Sequence, residues 1–110
     1  MKRGDVVIVR QKGVHTSKPR PAVVVQASEM LDDADKAVVC LITGELTDDP
    51  PFYRIDVEPS EANGLEKASQ IMVDLPVSIL TSNIGETVGK LEDDTLATLN
   101  TALLLLLELG

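Results

Sequence analysis

Lys18-Pro19-Arg20-Pro21-Ala22-Val23-Val24-Val25-Gln26 joins a stiff, charged loop end to the most strand-like run in the chain. Pro19 and Pro21 fix their own φ angles and push Lys18 and Arg20 out of the α region, so the segment enters extended. Ala22 to Val25 then forms an apolar, mostly β-branched run with little alternation, the pattern of a strand covered on both faces. Arg20 stands at the mouth of that strand, presenting a planar fork of donors that stays charged at any physiological pH and suits phosphate. Position alone favours a plainer reading, a loop arginine paired with a carboxylate. Other features have to decide.

Upstream, residues 5–10 read as a first strand after Gly4. Residues 11–18, with Gly13, Thr16 and Ser17 and no apolar periodicity, read as the loop that closes a hairpin. His15 lies in this loop, and a ring that titrates near neutrality is the one obvious proton shuttle in the sequence. Downstream, residues 27–36 read as an acidic surface connection with one helical turn. Asp32, Asp33 and Asp35 lack the glycine-containing spacing of a calcium loop and read as solvated.

Residues 37–42 give a third strand, and Asp48-Asp49-Pro50-Pro51 forces a turn into a fourth at residues 52–57, alternating with one face in water. Asn63-Gly64 is a strong turn signal. Residues 69–74 and 77–81 read as two short strands split at Pro76, and residues 87–91 as one more. Strands at this spacing with few helices between them imply a mostly antiparallel, strongly bent sheet or small barrel.

The chain ends differently. Glu92-Asp93-Asp94-Thr95 supplies capping groups and negative charge for a helix start. Leu96, Leu99, Leu103 and Leu106 recur at helical spacing, and Gly110 is available as a terminal cap. Leu104, Leu105 and Leu107 widen the apolar face beyond what one small sheet covers, which points to a homodimer.

The whole, 110 residues with 44% hydrophobic and 25% charged side chains, is ordinary for one soluble domain spanning residues 1–110. Aromatic content of 2% argues against a base-stacking platform. The single cysteine, Cys40, cannot form an internal disulfide and sits in an apolar run as a core residue. No apolar segment follows Met1-Lys2-Arg3, and the leucines at 103–107 are too few to span a bilayer. The expected location is the cytoplasm, with no membrane partner.

A net charge of −8 argues against nucleic acid, but the charges are unevenly spread. Residues 1–20 hold six basic side chains, Lys2, Arg3, Arg10, Lys12, Lys18 and Arg20, against Asp5 alone. The remaining residues hold four basic and 17 acidic ones. A basic amino-terminal quarter can still hold a polyanion locally, because fields are screened over roughly 8 Å.

With these elements in place, the sequence resembles the MazF/PemK family, the mRNA interferases of bacterial toxin-antitoxin modules. Lys2-Arg3-Gly4-Asp5-Val6-Val7 resembles the family's opening strand, Arg20-Pro21-Ala22-Val23-Val24-Val25 its second strand, and Leu41-Ile42-Thr43 the strand end that carries a catalytic threonine. Gly64-Leu65-Glu66-Lys67-Ala68-Ser69, Asp74 and Gly89-Lys90-Leu91 also fit in order and spacing. The resemblance implies a small SH3-like barrel of antiparallel strands with a carboxy-terminal helix, dimeric, cutting single-stranded RNA without metal or other cofactor and held in check by a separate antitoxin protein. It assigns catalysis to Arg20 and Thr43. His15 and Asp74 become catalytic or positioning candidates, and Arg10, Lys12, Ser17 and Lys18 candidates for RNA binding.

The departures are specific. His15 is one position away from the loop histidine of some PemK-like members, Met72 stands where those members carry an arginine, and the opening strand lacks the usual aromatic. Two alternatives follow. One is a gyrase-poisoning toxin of the CcdB type, which the ending Leu107-Glu108-Leu109-Gly110 disfavours because that type ends in Trp-Gly-Ile. The other is an inactive homologue that only binds antitoxin.

Overall fold

The structure is a computed structural model, and it describes residues 1–10 and 18–109. It contains β1 (Asp5–Val9), β2 (Arg20–Val24), β3 (Lys36–Thr43), β4 (Arg54–Val57), β5 (Ser69–Leu80), β6 (Ile84–Lys90) and α1 (Asp93–Leu106). Single 3-10 turns at Ser28–Met30 and Thr81–Asn83 punctuate the connections. The strands form one sheet in the order β4-β5-β3-β2-β1-β6, every neighbour antiparallel. The sheet curls as a barrel does but is not closed, since β4 and β6 remain its two edges. No helix among the described residues is long and apolar enough to cross a membrane.

The two-sided strand expected at Ala22–Val25 is present. Val6, Val23, Cys40 and Ile42 belong to a core shared with Leu91, Leu99 and Ala102 beneath the helix, whereas Val7, Val9, Ala22, Val24 and Val39 belong to a second core with Leu31 and Ile79. Alternate residues of β1, β2 and β3 thus enter different cores, and none faces water on either side of the middle of β2.

Polar contacts hold the far end of β2. The Gly4 amide donates to Val24 O at 2.8 Å, Arg3 Nε donates to Val25 O at 2.9 Å, and Gln26 Oε1 accepts from the Val38 amide at 3.0 Å. Arg3 is therefore a structural cation, remote from the mouth of the strand.

Three expectations need correction. Residues 69–81 do not split at Pro76: β5 is continuous, but it bends where the step from Cys40 to Ile42 on β3 is spanned by the longer step from Pro76 to Ile71. Pro76 sits beside this bulge and beyond the end of β4, whose pairing with β5 stops at Met72, so the missing amide proton is tolerated. Phe52 and Tyr53 lie in the turn before β4, and β6 begins at Ile84 rather than at residue 87.

The helix caps also differ from expectation. Glu92 occupies the N-cap position without bonding the helix amides. Its carboxylate instead accepts from Ser60 Oγ at 2.6 Å and from Asn63 Nδ2 at 3.2 Å. At the other end, Glu108 adopts φ 58° and closes a Schellman-type cap, with the Leu109 amide donating to Leu104 O at 2.9 Å and the Glu108 amide to Leu105 O at 3.3 Å. Gly110 lies outside the described residues.

Asn63 is fully buried and organises the loop that precedes β5. Its Oδ1 accepts from the amides of Ser60 and Leu65, both at 3.0 Å, and its Nδ2 donates to Glu58 O at 2.8 Å. Gly64, at φ 70°, follows it because a Cβ there would strike the Val88 carbonyl. The loop is thereby seated on β6 at a fixed height.

Candidate functional site

A cleft of about 530 Å³ opens at the ends of β2 and β3. Arg20 and Thr43 both line it, with Pro21 and Ile8 from the sheet, Lys67 and Ser69 from the approach to β5, and Glu86 from β6. The strand register explains the meeting. Val24, Val23 and Ala22 pair with Val39, Cys40 and Leu41, and continuing that register to the strand ends sets Arg20 across from Thr43. Directly opposed residues on neighbouring strands project to the same face.

Arg20 is exposed, and its side chain makes no hydrogen bond or ion pair with another described residue. Among the described residues it has no carboxylate partner of the kind that position alone favoured. The Thr43 hydroxyl accepts from the Glu45 amide at 3.0 Å, so the local backbone contact of a strand-terminal threonine is real. That contact occupies an acceptor site only; the hydroxyl proton stays available to an anionic oxygen.

The turn after Thr43 is clamped from beneath. Gln70, paired with Thr43 across β3 and β5, is 1% exposed. Its Oε1 accepts from the Thr47 amide at 3.0 Å, while its Nε2 donates to Thr47 O at 2.9 Å and to Asp56 Oδ1 at 2.8 Å. Arg54 reinforces the clamp through Nε to Gln70 Oε1 and Nη2 to Glu45 O, both at 3.4 Å, and Nη2 to Thr47 Oγ1 at 3.3 Å. Arg54 pairs with Met72 in the β4–β5 register and serves this clamp.

The other candidates separate. Arg10 lines an adjoining groove of about 510 Å³ together with Asn83, Ile84 and Glu86; this groove shares Ile8, Pro19 and Glu86 with the Arg20 cleft. Lys18 is exposed beside the cleft without lining it. Asp74 is exposed on the bend of β5 and does not line the cleft, so it is not brought to Arg20. His15, Lys12 and Ser17 lie outside the described residues. Cys40 is buried and desolvated, which pushes its thiol up to about 11 against a smaller opposing pull from Arg3; it is no nucleophile.

Lys67, Ser69 and Glu86 were not singled out as site residues from the sequence, although Lys67 and Ser69 lie within the Gly64-Leu65-Glu66-Lys67-Ala68-Ser69 match. Among the described residues the cleft carries two cations, Arg20 and Lys67, and two carboxylates, Glu66 and Glu86. Its selectivity for an anion therefore depends on where these charges point rather than on net charge.

The architecture is that of the small toxins of toxin-antitoxin modules. It matches an endoribonuclease in complex with its cognate antitoxin from a mycobacterial species at a TM-score of 0.80 and 20% identity, covering 100% of this chain and 97% of that one. It also matches MazF in a MazE-MazF crystal structure from Deinococcus radiodurans at a TM-score of 0.81 and 19% identity, covering 100% and 98%. The sequence carries the assignment further: over residues 2–107 the chain belongs to the family of PemK-like, MazF-like toxins of type II toxin-antitoxin systems. It is 33% identical, over 97% of its length and 96% of the other's, to the "Probable endoribonuclease MazF" of Mycolicibacterium smegmatis.

Proposed function

We propose that this toxin is an endoribonuclease that cuts single-stranded RNA at the Arg20–Thr43 cleft. The observation that carries this reading is the convergence, in one cleft, of a guanidinium with no side-chain partner among the described residues and a donor-competent hydroxyl. RNA brings its own nucleophile: the 2′-oxygen attacks the adjacent phosphorus, the bond to the 5′-oxygen breaks, and a 2′,3′-cyclic phosphate and a 5′-hydroxyl result. The protein must stabilise charge on the phosphorane oxygens and handle two protons. Arg20 supplies the positive charge; an ordinary guanidinium is too weak an acid to serve well as a base, so its role is electrostatic. Thr43 donates its hydroxyl to a phosphate oxygen.

The name of the curated relative and the antitoxin complexes among the structural neighbours support this reading. The working unit is a homodimer acting in the cytoplasm, where its substrate resides, and a cognate antitoxin inhibits it by covering the cleft. The exposed leucines of α1 and its cap, Leu104, Leu105, Leu107 and Leu109, supply apolar surface for self-association.

The test is to incubate purified chain with a long unstructured RNA in EDTA and map the ends. Discrete cuts bearing 5′-hydroxyl termini are expected. Intact RNA from folded protein overturns the proposal.

A further inference from the structure

Gly44, the residue after Thr43, has the side chain of Lys67 laid across it. A Cβ built on Gly44 would overlap Lys67 Cε and stand 2.6 Å from its Nζ. Lys67 is anchored on both sides. Buried Ser69 donates Oγ to Lys67 O at 2.9 Å, and buried Leu65 donates its amide to Asn63 Oδ1 at 3.0 Å. The ammonium makes no hydrogen bond or ion pair with another described residue. A long, costly side chain is thus directed over a glycine into the cleft that holds Arg20 and Thr43.

We infer that Lys67, bedded on Gly44, is a second phosphate-binding residue of the cleft, holding a backbone phosphate of single-stranded RNA beside the one that meets Arg20. The inference rests on the ribonuclease reading above. An ammonium is a point charge that tolerates rotation of the phosphate it meets, whereas the guanidinium fork of Arg20 demands a fixed geometry. Lys67 holds the strand while Arg20 and Thr43 address the reacting group. The absence of aromatic side chains among the cleft's described lining residues gives such phosphate contacts added weight.

Gly44 makes the inference testable without touching the lysine. It does not occupy the left-handed region, so alanine fits its backbone. The atoms in the way are the far end of a flexible side chain, so Gly44→Ala displaces the ammonium and leaves the fold in place.

The experiment measures binding of a 2′-O-methyl oligoribonucleotide, which cannot be cleaved, at several salt concentrations. It uses wild type, Lys67→Met, Lys67→Arg, Gly44→Ala and the Lys67→Met/Gly44→Ala double variant, each checked by circular dichroism. Loss of one phosphate contact lowers the slope of log K against log salt by about 0.7 for a single strand. Lys67→Met and Gly44→Ala should each show that loss, Lys67→Arg should restore the slope, and the double variant should fall no further than either single one. A wild-type slope in folded Lys67→Met overturns the inference, as does a further loss when Gly44→Ala is added to Lys67→Met. No binding by wild type takes down the ribonuclease reading itself, and the Lys67 assignment with it.

Discussion

Arg20 and Thr43 line the same cleft from the ends of β2 and β3, and the register of Ala22 with Leu41, continued by two residues, sets them across from one another. The two side chains differ in what holds them. Arg20 is free of partners among the described residues, whereas Thr43 is tied through Glu45 to a turn that Gln70 and Arg54 secure.

Arg20→Ala should leave the thermal midpoint nearly unchanged, because the side chain is exposed and makes no hydrogen bond or ion pair with another described residue. Cleavage should fall about 100-fold or more, the scale of losing one preorganised stabiliser of developing charge. A well-folded Arg20→Ala protein that cuts at the wild-type rate ends the assignment.

Thr43→Val and Thr43→Ser should separate. Valine keeps the shape and removes the donor, with an expected rate loss of about 10- to 100-fold, the equivalent of one hydrogen bond to a charged group. Serine keeps the donor and should retain most activity. Equal loss in both variants would mean that packing rather than the hydroxyl matters, read from single-turnover rates.

Gln70→Leu should destabilise the fold by about 1–3 kcal/mol, because it removes three hydrogen bonds from buried Gln70 to Thr47 and Asp56, although both partners are exposed and can turn to water. Urea titration should show a lower midpoint with an unchanged slope. Activity should fall as well, since the turn after Thr43 loses its clamp.

The Glu92 carboxyl is held below the usual carboxylate range, chiefly by the hydrogen bond from Ser60, with Asn63 as a smaller contributor. A depressed folded value means that this stabilisation is complete above the unfolded value of about 4.3 and is lost as pH falls through the lower folded value. Wild type and Glu92→Gln should therefore differ in thermal midpoint near neutrality and converge once the pH is below the folded value. A gap that persists there shows that the charge is not what matters.

Leu105 is 62% exposed on α1. Leu105→Glu should convert a dimer to a monomer in light scattering without lowering helix content. An unchanged dimer places the interface elsewhere.

Much of this was legible in the sequence, for identifiable reasons. Ala22 to Val25 announced a strand buried on both faces because nothing polar interrupts it, and the two cores confirm that reading. Arg20 and Thr43 were named through family resemblance, and only the pairing of Ala22 with Leu41 explains why they meet. Pro76 misled because its effect depends on what lies alongside: the same proline that breaks a central strand is harmless where β4 has already ended. Lys67 carried no signal of its own, since its reach over Gly44 is set by how two distant turns are packed. Glu92 looked like a helix cap from local sequence, but Ser60 and Asn63 compete for its carboxylate from a loop 29 or more residues away.

The apolar character of β2 on both faces has a cost in fidelity. Where strands alternate between oil and water, a slip by one residue is punished at every position; in β2 it would exchange one hydrophobic contact for another. Such a slip would turn Arg20 to the opposite side of the sheet and take the guanidinium out of the cleft. What forbids it is the set of polar contacts from Gly4, Arg3 and Gln26 at the far end of the strand. These residues act as an index mark, so the alignment of the reactive arginine is decided at the end of β2 that lies farthest from it.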